Sequence, residues 1–469
     1  MYTRHADRYI WQTAAVSPRR VVVRGVPYII TTDARDRVQV LRKRSLYIVG
    51  GVIKAIVAAG KEGSWLKRAD VIYDARVRGG IVLTPGFINT HAHPPMYILR
   101  STTWLEHEIA TTEESLVLAR RIERQMDVAD QTIAALGDFT EQQKFGTTTV
   151  VSHYHTPQAT RVAAIRARLR LVDAVSVASE TDPSASLKRV LPWLKAVPPL
   201  ITPGITIHTL QRVTLAELKR VRQLMQRHPK LLLTIHCAET DTEVAAVEAK
   251  HGLRPIALLA QAKLLNRRLL LSHAVHFTAD EIHLLAKHKV GIAHLPTSNR
   301  FHKSGDFPFA EYVLAGAFPQ VTLGTDSVIS KSRLDLISEG FQAKLMHQSS
   351  TVPATFSDIF KMLTCNGARV IGQERTLGRI AVGYKADLVF WKLKDRMFVP
   401  FDERHPETLL GNFIGHGGYV ARDVMVNGQF VISGRRHNFV NESTLLTDLQ
   451  KHHTALRQRI KKVVGKAAQ

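Results

Sequence analysis

The chain has 469 residues, and its hydrophobic fraction of 45% and charged fraction of 22% are typical of a globular protein with a large core. No run approaches the length of a membrane-spanning apolar helix, and the charged amino-terminal segment lacks the apolar stretch of a secretory signal. The 64 Lys and Arg residues outnumber the 40 Asp and Glu residues, so the net charge of +24 attracts anions.

Short strands separated by turns rich in glycine and aspartate are predicted near the amino terminus, over Val21–Val23, Tyr28–Thr32, Tyr47–Val49 and Val52–Val57. The same pattern of short strands and turns recurs after Gly378, in Ala386–Phe390 and in Val424–Ile432, where Asn427-Gly428 predicts a tight turn. We therefore expect a small β-sandwich domain that is built from both chain ends, residues 19–80 and 378–434.

Between these segments, short apolar runs alternate with helical patterns at the spacing of β-α units. Eight such runs over residues 81–377 predict a (β/α)8 TIM barrel. The predicted strands are Gly86–His93, Thr147–His153, Arg168–Val177, Gly204–His208, Leu231–His236, Leu269–His273, Val290–His294 and Gln320–Asp326.

The carboxyl-terminal segment, residues 435–469, carries Leu445, Leu449, Leu456, Ile460 and Val463 near helical spacing. This pattern predicts an amphipathic helix that docks by its apolar stripe, followed by a basic tail. A helix that pairs with a partner chain is the alternative interpretation.

The polar residues at the ends of the predicted strands are the strongest functional signal. In a parallel barrel these ends meet at one rim, where active sites are built. The pair His91 and His93 lies on one face of a strand end, because side chains two apart in a strand point to the same side. Seven of the eight predicted strands end in a histidine or an aspartate: His93, His153, His208, His236, His273, His294 and Asp326.

Neutral imidazoles and one carboxylate are natural ligands of Zn²⁺ or a similar borderline ion. A catalytic metal keeps one position open for water and lowers the pKa of that water. Glu239 follows the candidate ligand His236 by three residues, in the loop that leaves the strand. It could move protons in this chemistry, or it could be an acid that stabilises the start of the next helix.

Four segments resemble the amidohydrolase superfamily, in particular its aminohydrolase branch of guanine, adenosine-type and S-adenosylhomocysteine deaminases and triazine hydrolases. The resemblance covers about residues 21–434 and includes a fifth match in the small domain, Gly378–Val389. The four barrel segments are Pro85–His93, Thr234–Glu239, Leu271–His273 and Thr322–Ser327.

The resemblance implies that His91, His93, His236 and Asp326 hold one divalent metal ion per chain, zinc or alternatively iron. It also implies three catalytic roles. His273 would orient the activated water, Glu239 would pass a proton from that water to a ring nitrogen of the substrate, and Asp326 would accept the second proton.

Other positions match residues that bind substrate in the same branch. His208 matches a histidine that contacts the substrate, Glu123 a glutamate that binds ribose hydroxyls, and Asn299 a recurring loop residue. An ordinary exposed acid on a helix is an equal interpretation of Glu123. The fourth strand offers His208 and no lysine, which argues against the binuclear branch with its carboxylated lysine.

The favoured function is therefore a metal-dependent aminohydrolase that deaminates an amino-substituted heterocycle or nucleoside through a metal-activated water. Hydrolytic dechlorination, or hydrolysis of another non-peptide C–N bond in a triazine-like or cyclic amide substrate, is the enzymatic alternative. A barrel without catalysis that binds polyanions is the alternative from another class, although no nucleic-acid-binding motif is present, so nucleic acid is not an expected partner.

The remaining expectations concern location and assembly. The chain has only two cysteines, Cys237 and Cys365, which fits a reducing cytoplasm. The partner we expect is a small heterocyclic substrate and not a membrane, and the sequence leaves a homo-oligomer open.

Overall fold

The computed structural model describes residues 19–100, 122–177, 191–192, 194, 197–330, 333–416 and 419–467, with side chains described as far as Ile460. Strands are numbered β1–β17 and helices α1–α14 along this part of the chain.

The amino-terminal strands belong to a small sheet. Strand β1 is one long strand where the sequence predicts two, because Gly25 adopts a φ of 63° and the pairing register shifts between Val23 and Val26. A bulge of this kind lets a strand continue with a stronger twist. The strands are β1 Arg20–Thr32, β2 Val38–Val49, β3 Val52–Ala58, β4 Val71–Asp74 and β5 Ile81–Pro85.

The eight barrel strands are present, and each pairs in parallel with the next one along the chain. An isolated bridge between Ala92 and Asp326 joins the two ends of this sheet. The predicted (β/α)8 barrel is thus confirmed. Its strands are β6 Phe87–Ala92, β7 Thr147–Tyr154, β8 Arg170–Ser176, β9 Ile201–Thr209, β10 Leu232–Cys237, β11 Leu269–His273, β12 Gly291–His294 and β13 Val321–Leu323.

The last strands of the chain complete the small sheet, because β14 pairs with β5. The small β domain built from both chain ends is therefore confirmed. The predicted turn at Asn427-Gly428 joins β15 to β16 with φ values of 49° and 80°, as a type I′ hairpin requires. The strands are β14 Leu388–Lys392, β15 Asp423–Val426, β16 Gln429–Ser433 and β17 Arg436–His437.

Several helices begin with a reciprocal capping box, in which a side chain at the start and one three residues later satisfy each other's backbone N–H groups. These boxes start at Asp127, Thr214, Thr278 and Thr355. The boxes at Asp127, Thr214 and Thr278 fix where the segments after the barrel strands that end at Ala92, Thr209 and His273 join their helices.

The helices are α1 Trp65–Arg68, α2 Val128–Lys144, α3 Pro157–Ala167, α4 Leu215–Arg227, α5 Asp241–His251, α6 Pro255–Gln261, α7 Ala279–His288, α8 Pro296–Phe301, α9 Phe309–Leu314, α10 Leu336–Met346, α11 Phe356–Leu363, α12 Cys365–Val370, α13 Thr408–His416 and α14 Glu442–Ala467. Short 3-10 turns occur at Pro94–Leu99, Leu210–Arg212 and Phe318–Gln320.

Helix α14 packs against the barrel by its apolar side. Leu445, Leu449, Leu456 and Ile460 are buried, while the side chain of Val463 lies outside the described part. The His453 Nδ1–H donates to the carbonyl of Ile98, 2.9 Å away, in the turn that follows the first pair of histidines. Among the described helices, none has both the length and the apolarity to cross a bilayer.

Candidate active site

Four side chains at the carboxyl end of the barrel converge on one point. The Nε2 atoms of His91, His93 and His236 lie 3.1–3.2 Å from one another. Asp326 Oδ1 is 3.3 Å from His93 Nε2 and 3.8 Å from His91 Nε2. A tetrahedral Zn²⁺ site with bonds of about 2.0–2.1 Å has ligand atoms about 3.3 Å apart. The donor set therefore fits a single ion of this size.

The barrel wall sets the tautomers of two of these histidines. His93 Nδ1 lies 2.7 Å from the carbonyl oxygen of His153, and His236 Nδ1 lies 3.0 Å from that of His208. Because a carbonyl oxygen only accepts, Nδ1 must carry the proton in both rings. The Nε2 lone pairs are then free and directed at the shared point, which is the arrangement that metal-binding histidines use.

Burial keeps the imidazoles neutral. It lowers the pKa of His91 and His236 well below the ordinary value, and neighbouring histidines add to this effect. The pKa of His93 is also lowered by burial. The ring of His91 is held by Ser272, whose Oγ lies 2.8 Å from Nδ1. Neutral rings are the form that binds a cation.

Asp326 is held as a carboxylate. Its Oδ2 accepts from Ser298 Oγ at 2.5 Å, and its Oδ1 accepts from the backbone N–H of Ser327 at 2.9 Å. Burial opposes ionisation, but the imidazoles of His93 and His91 and the Ser298 hydroxyl hold the pKa of Asp326 below its ordinary value. The group thus offers negative charge to the point where the three Nε2 atoms meet.

Glu239 and His273 lie beside this cluster. His273 Nε2 is 3.5 Å from Glu239 Oε2, while its Nδ1–H donates to Asn299 Oδ1 at 2.8 Å. Glu239 Oε1 also accepts from Ser304 Oγ at 3.2 Å. Burial alone would lower the pKa of His273, but the carboxylates of Glu239 and Asp326 raise it. An acid and a base thus stand within reach of one another at the rim.

The backbone in this region is unusual. Ala238, His273, Ala274 and Asp326 all adopt φ values between 53° and 69°, the left-handed region that residues with a Cβ rarely occupy. Such strain collects at functional sites, where it aims side chains that regular strands would point elsewhere. It turns Glu239, His273 and Asp326 toward the same space.

His153 lies deeper in the barrel, with its ring centroid 4.0 Å from that of His236. Its Nε2 is 2.8 Å from Thr206 Oγ1. His153, His208 and His236 form a second group whose nitrogen atoms lie within 4.8 Å of one another. Because His236 belongs to both groups and its Nδ1 is already bonded, the tighter group with His91 and His93 is the better metal site.

Two of the three predicted substrate residues are partly exposed. Glu123 Oε1 accepts from the Tyr154 hydroxyl at 2.8 Å, which links Glu123 to the end of β7, next to His153. The ring of His208 lies 4.8 Å from that of His236. Asn299 is fully buried and contacts His273, while its Nδ2 finds no partner in the described part of the chain.

His294 is not part of the cluster. It is fully buried, its Nε2 is 3.1 Å from His347 Nε2, and its ring stacks on Phe307 at 4.1 Å. This arrangement fits a packing role.

The sequence did not single out several residues that support the site. Ser298 precedes Asn299 directly, and this position after β12 is the signal that could have found it. Glu243 accepts the backbone N–H of Glu239 at 2.9 Å, and burial raises its pKa to about 7. Nothing in the sequence pattern distinguishes Glu243 from an ordinary acid in the first turn of a helix.

The chain is similar to known proteins over most of its length. Residues 82–431 match the model of the amidohydrolase family. A 5-methylthioadenosine/S-adenosylhomocysteine deaminase of Moorella thermoacetica is 33% identical over 398 residues, which cover 80% of this chain and 86% of that protein.

Solved structures share the fold. An adenosine deaminase of Xanthomonas campestris with bound zinc superposes with a TM-score of 0.82 at 23% identity, over 93% of this chain and 98% of that one. A zinc-bound atrazine chlorohydrolase of Arthrobacter aurescens also gives 0.82, at 21% identity, over 92% of this chain and 100% of that one.

Proposed function

This chain belongs to the amidohydrolase family, and we propose that it deaminates a 6-aminopurine nucleoside, the class of compound that appears in the names of its deaminase relatives. It is a metal-dependent hydrolase of C–N bonds other than peptide bonds, and its substrates are amino-substituted heterocycles. The observation that supports this function best is the convergence of three Nε2 atoms and one carboxylate oxygen, with Glu239 and His273 beside them.

His91, His93, His236 and Asp326 are the residues that would hold the metal, which we propose to be one Zn²⁺ per chain, with iron as the alternative. The spacing of their donor atoms and the neutral state of the imidazoles support this assignment. When bound, such an ion lowers the pKa of water and supplies a nucleophile near neutral pH.

The proton transfers are assigned to two carboxylates. The reaction consumes one water, whose oxygen bonds to the ring carbon that carries the amine while the C–N bond to that amine breaks. Glu239 transfers one water proton to the neighbouring ring nitrogen, and Asp326 transfers the other to the departing amine, which leaves as ammonia. His273 holds the water oxygen in place, and Asn299 fixes the ring of His273.

The nucleoside assignment depends on Glu123. A carboxylate binds two vicinal hydroxyls well, because each oxygen accepts one hydrogen bond. The Tyr154 hydroxyl donates a hydrogen bond to one of the two carboxylate oxygens and so helps to fix the plane of the carboxylate. We propose that Glu123 binds the ribose hydroxyls and that His208, partly exposed beside His236, contacts the base.

Cytoplasmic location remains our proposal. It is supported by Cys237 and Cys365, which are both buried and unpaired. Thiols in this state persist in a reducing compartment.

Ammonia release from a substrate panel tests the function. The purified protein, with its metal content measured, is assayed with adenosine, 5-methylthioadenosine, S-adenosylhomocysteine, adenine, cytidine and a chlorotriazine. We expect ammonia from the adenine nucleosides, and we expect Glu239→Gln to lower kcat by about 10²–10⁴-fold while metal content is unchanged.

Two results would contradict the proposal. Chloride release from the triazine without ammonia from any nucleoside would favour dechlorination instead. Full activity in Glu239→Gln would remove the assigned proton transfer.

A further inference from the structure

A cavity of about 1500 Å³ lies between the small sheet and the barrel, away from the histidine cluster. It is formed by segments that are far apart in sequence, namely β1, β2, the end of α2 and the segments on either side of α13. We call this cavity the basic groove, and its defining side chains are Tyr28, Lys43, Lys394, Arg396, Phe401 and Tyr419.

The basic groove lies at the end of the barrel that is opposite to the candidate active site. Lys144, which also lines it, is the last residue of α2, and β7 begins three residues later. A side chain at this point lies where the barrel strands begin, whereas the histidine cluster lies where they end. A molecule in the groove would therefore leave the active site open.

The cations of the groove are only partly neutralised. Lys144 pairs with Glu442, Arg435 pairs with Asp395 at 3.1 Å, and Glu403 is a second carboxylate in the lining. In the part of the chain that the structure describes, Lys43, Lys394 and Arg396 form no ion pair. A positive cleft with low-dielectric walls concentrates the field and attracts anions.

The positive surface continues beyond the groove. A second hollow of about 520 Å³ shares Arg435 with it and is lined by Arg78, Lys392 and Arg422, of which Arg422 pairs with Asp423 and Arg78 lies over the ring of Tyr73. The two hollows together form a strip with repeated cations, which suits a ligand with repeated phosphates better than one with a single anionic group.

Aromatic and apolar side chains lie between these cations. Tyr28 and Phe401 meet edge to face with their centroids 5.6 Å apart, and Tyr419 lines the same cavity. Val399, also in the lining, is 52% exposed. Aromatic faces accept unstacked bases, while duplex bases stay stacked inside their helix.

We propose that the basic groove binds single-stranded nucleic acid. Cations along a groove contact the phosphates and aromatic rings receive the bases, which is the recognition chemistry of single strands without sequence preference. The volume exceeds the roughly 300–1,000 Å³ of pockets for small ligands, so the groove accommodates more than one nucleotide. The proposal also gives a role to the net charge of +24, which the catalytic chemistry does not require.

Fluorescence anisotropy with a labelled 12-nucleotide RNA tests the proposal on the full chain over a range of salt concentrations. The test variant is Lys394→Glu with Arg396→Glu. The control is Lys219→Glu with Arg220→Glu, which changes two exposed cations on α4 and alters the net charge equally. Unfolding temperatures establish that both variants fold.

We expect the groove variant to bind more weakly, with a slope of log K against log salt that is shallower by about 1.4, or 0.7 for each lost phosphate contact. Tyr419→Ala should weaken binding by at least about fivefold without changing the slope. The control variant should keep most of the affinity and the slope.

Three outcomes would overturn the proposal. Equal losses in the groove variant and the control would show that overall charge, not the groove, binds the strand. ATP binding as tightly as the 12-nucleotide strand would indicate a mononucleotide site. A duplex of the same sequence binding as tightly as the single strand would exclude a role for exposed bases.

Discussion

Ser298→Ala deletes the hydroxyl that donates to Asp326 Oδ2 over 2.5 Å. A hydrogen bond to a charged group contributes about 1.5–3 kcal/mol, so its loss should raise the pKa of Asp326 by about one to two units. That pKa starts below its ordinary value, so the carboxylate stays ionised at pH 7. The loss at pH 7 therefore comes from orientation, and removing such a supporting contact typically weakens metal binding by about 10–100-fold.

The assay is competition for Zn²⁺ between the metal-free protein and a chelating indicator at pH 7. Ser330→Ala is the matched control, because Ser330 Oγ lies 3.2 Å from Ser298 Oγ and 3.0 Å from His302 Nε2 without touching Asp326. We expect less than about a threefold effect from this control. Wild-type affinity in Ser298→Ala, or an equal loss in Ser330→Ala, would refute the reasoning.

Three further predictions concern specificity, stability and pH. Tyr154→Phe removes the hydrogen bond that helps to orient the Glu123 carboxylate, and we expect KM for adenosine nucleosides to rise by up to about tenfold while kcat stays the same. Arg170→Ala breaks a buried bidentate pair with Asp387 (2.9 and 3.0 Å) and should lower the free energy of unfolding by about 3–5 kcal/mol in urea titrations. The raised pKa of Glu243, about 7, means that its contribution to stability is complete below pH 4.5 and is lost as pH rises through 7. Glu243→Gln should therefore gain stability over the wild type across that range, by roughly 3 kcal/mol at pH 8.

Each of these predictions has its own control. For Tyr154→Phe the control is free adenine, whose KM should not change, and an equal rise for the base would contradict the ribose contact. For Arg170→Ala it is Arg20→Ala, which removes an exposed pair with Asp70 and should cost less than about 1 kcal/mol. For Glu243→Gln it is the pH dependence itself, since a constant difference from pH 5 to 8 would show that the carboxyl does not titrate there.

The barrel was predictable because its signals are local. A strand of alternating or buried apolar residues that ends in histidine can be read from a few neighbouring residues, and the barrel geometry then brings the ends together. The convergence of His91, His93, His236 and Asp326 follows from this rule. The same rule places His153, His208 and His294 at one rim, but it does not predict which of them reaches the point where the candidate metal ligands converge.

The parts that the sequence did not reveal depend on contacts between distant segments or on backbone strain. The strand Ile81–Pro85 pairs with β1 and β14 in the small sheet, although it leads directly into the barrel. The left-handed conformations of His273 and Asp326 have no sequence signature, since neither residue is glycine. The basic groove combines Tyr28, Lys144 and Lys394, which only the folded chain brings together.

The contacts of the site divide it into a fixed part and a variable part. His93 and His236 are oriented by carbonyl oxygens of the neighbouring strands, at His153 and His208, so the barrel backbone itself sets their tautomers. Substitution of the side chains at positions 153 and 208 would leave these hydrogen bonds intact, because the acceptors are backbone carbonyl oxygens. Glu123, in contrast, accepts a hydrogen bond from the side chain of Tyr154, which lies outside the ligand set. Changes of substrate can therefore arise in the loops without disturbing the ligand geometry, which explains why the sequence identified the reaction more readily than the substrate.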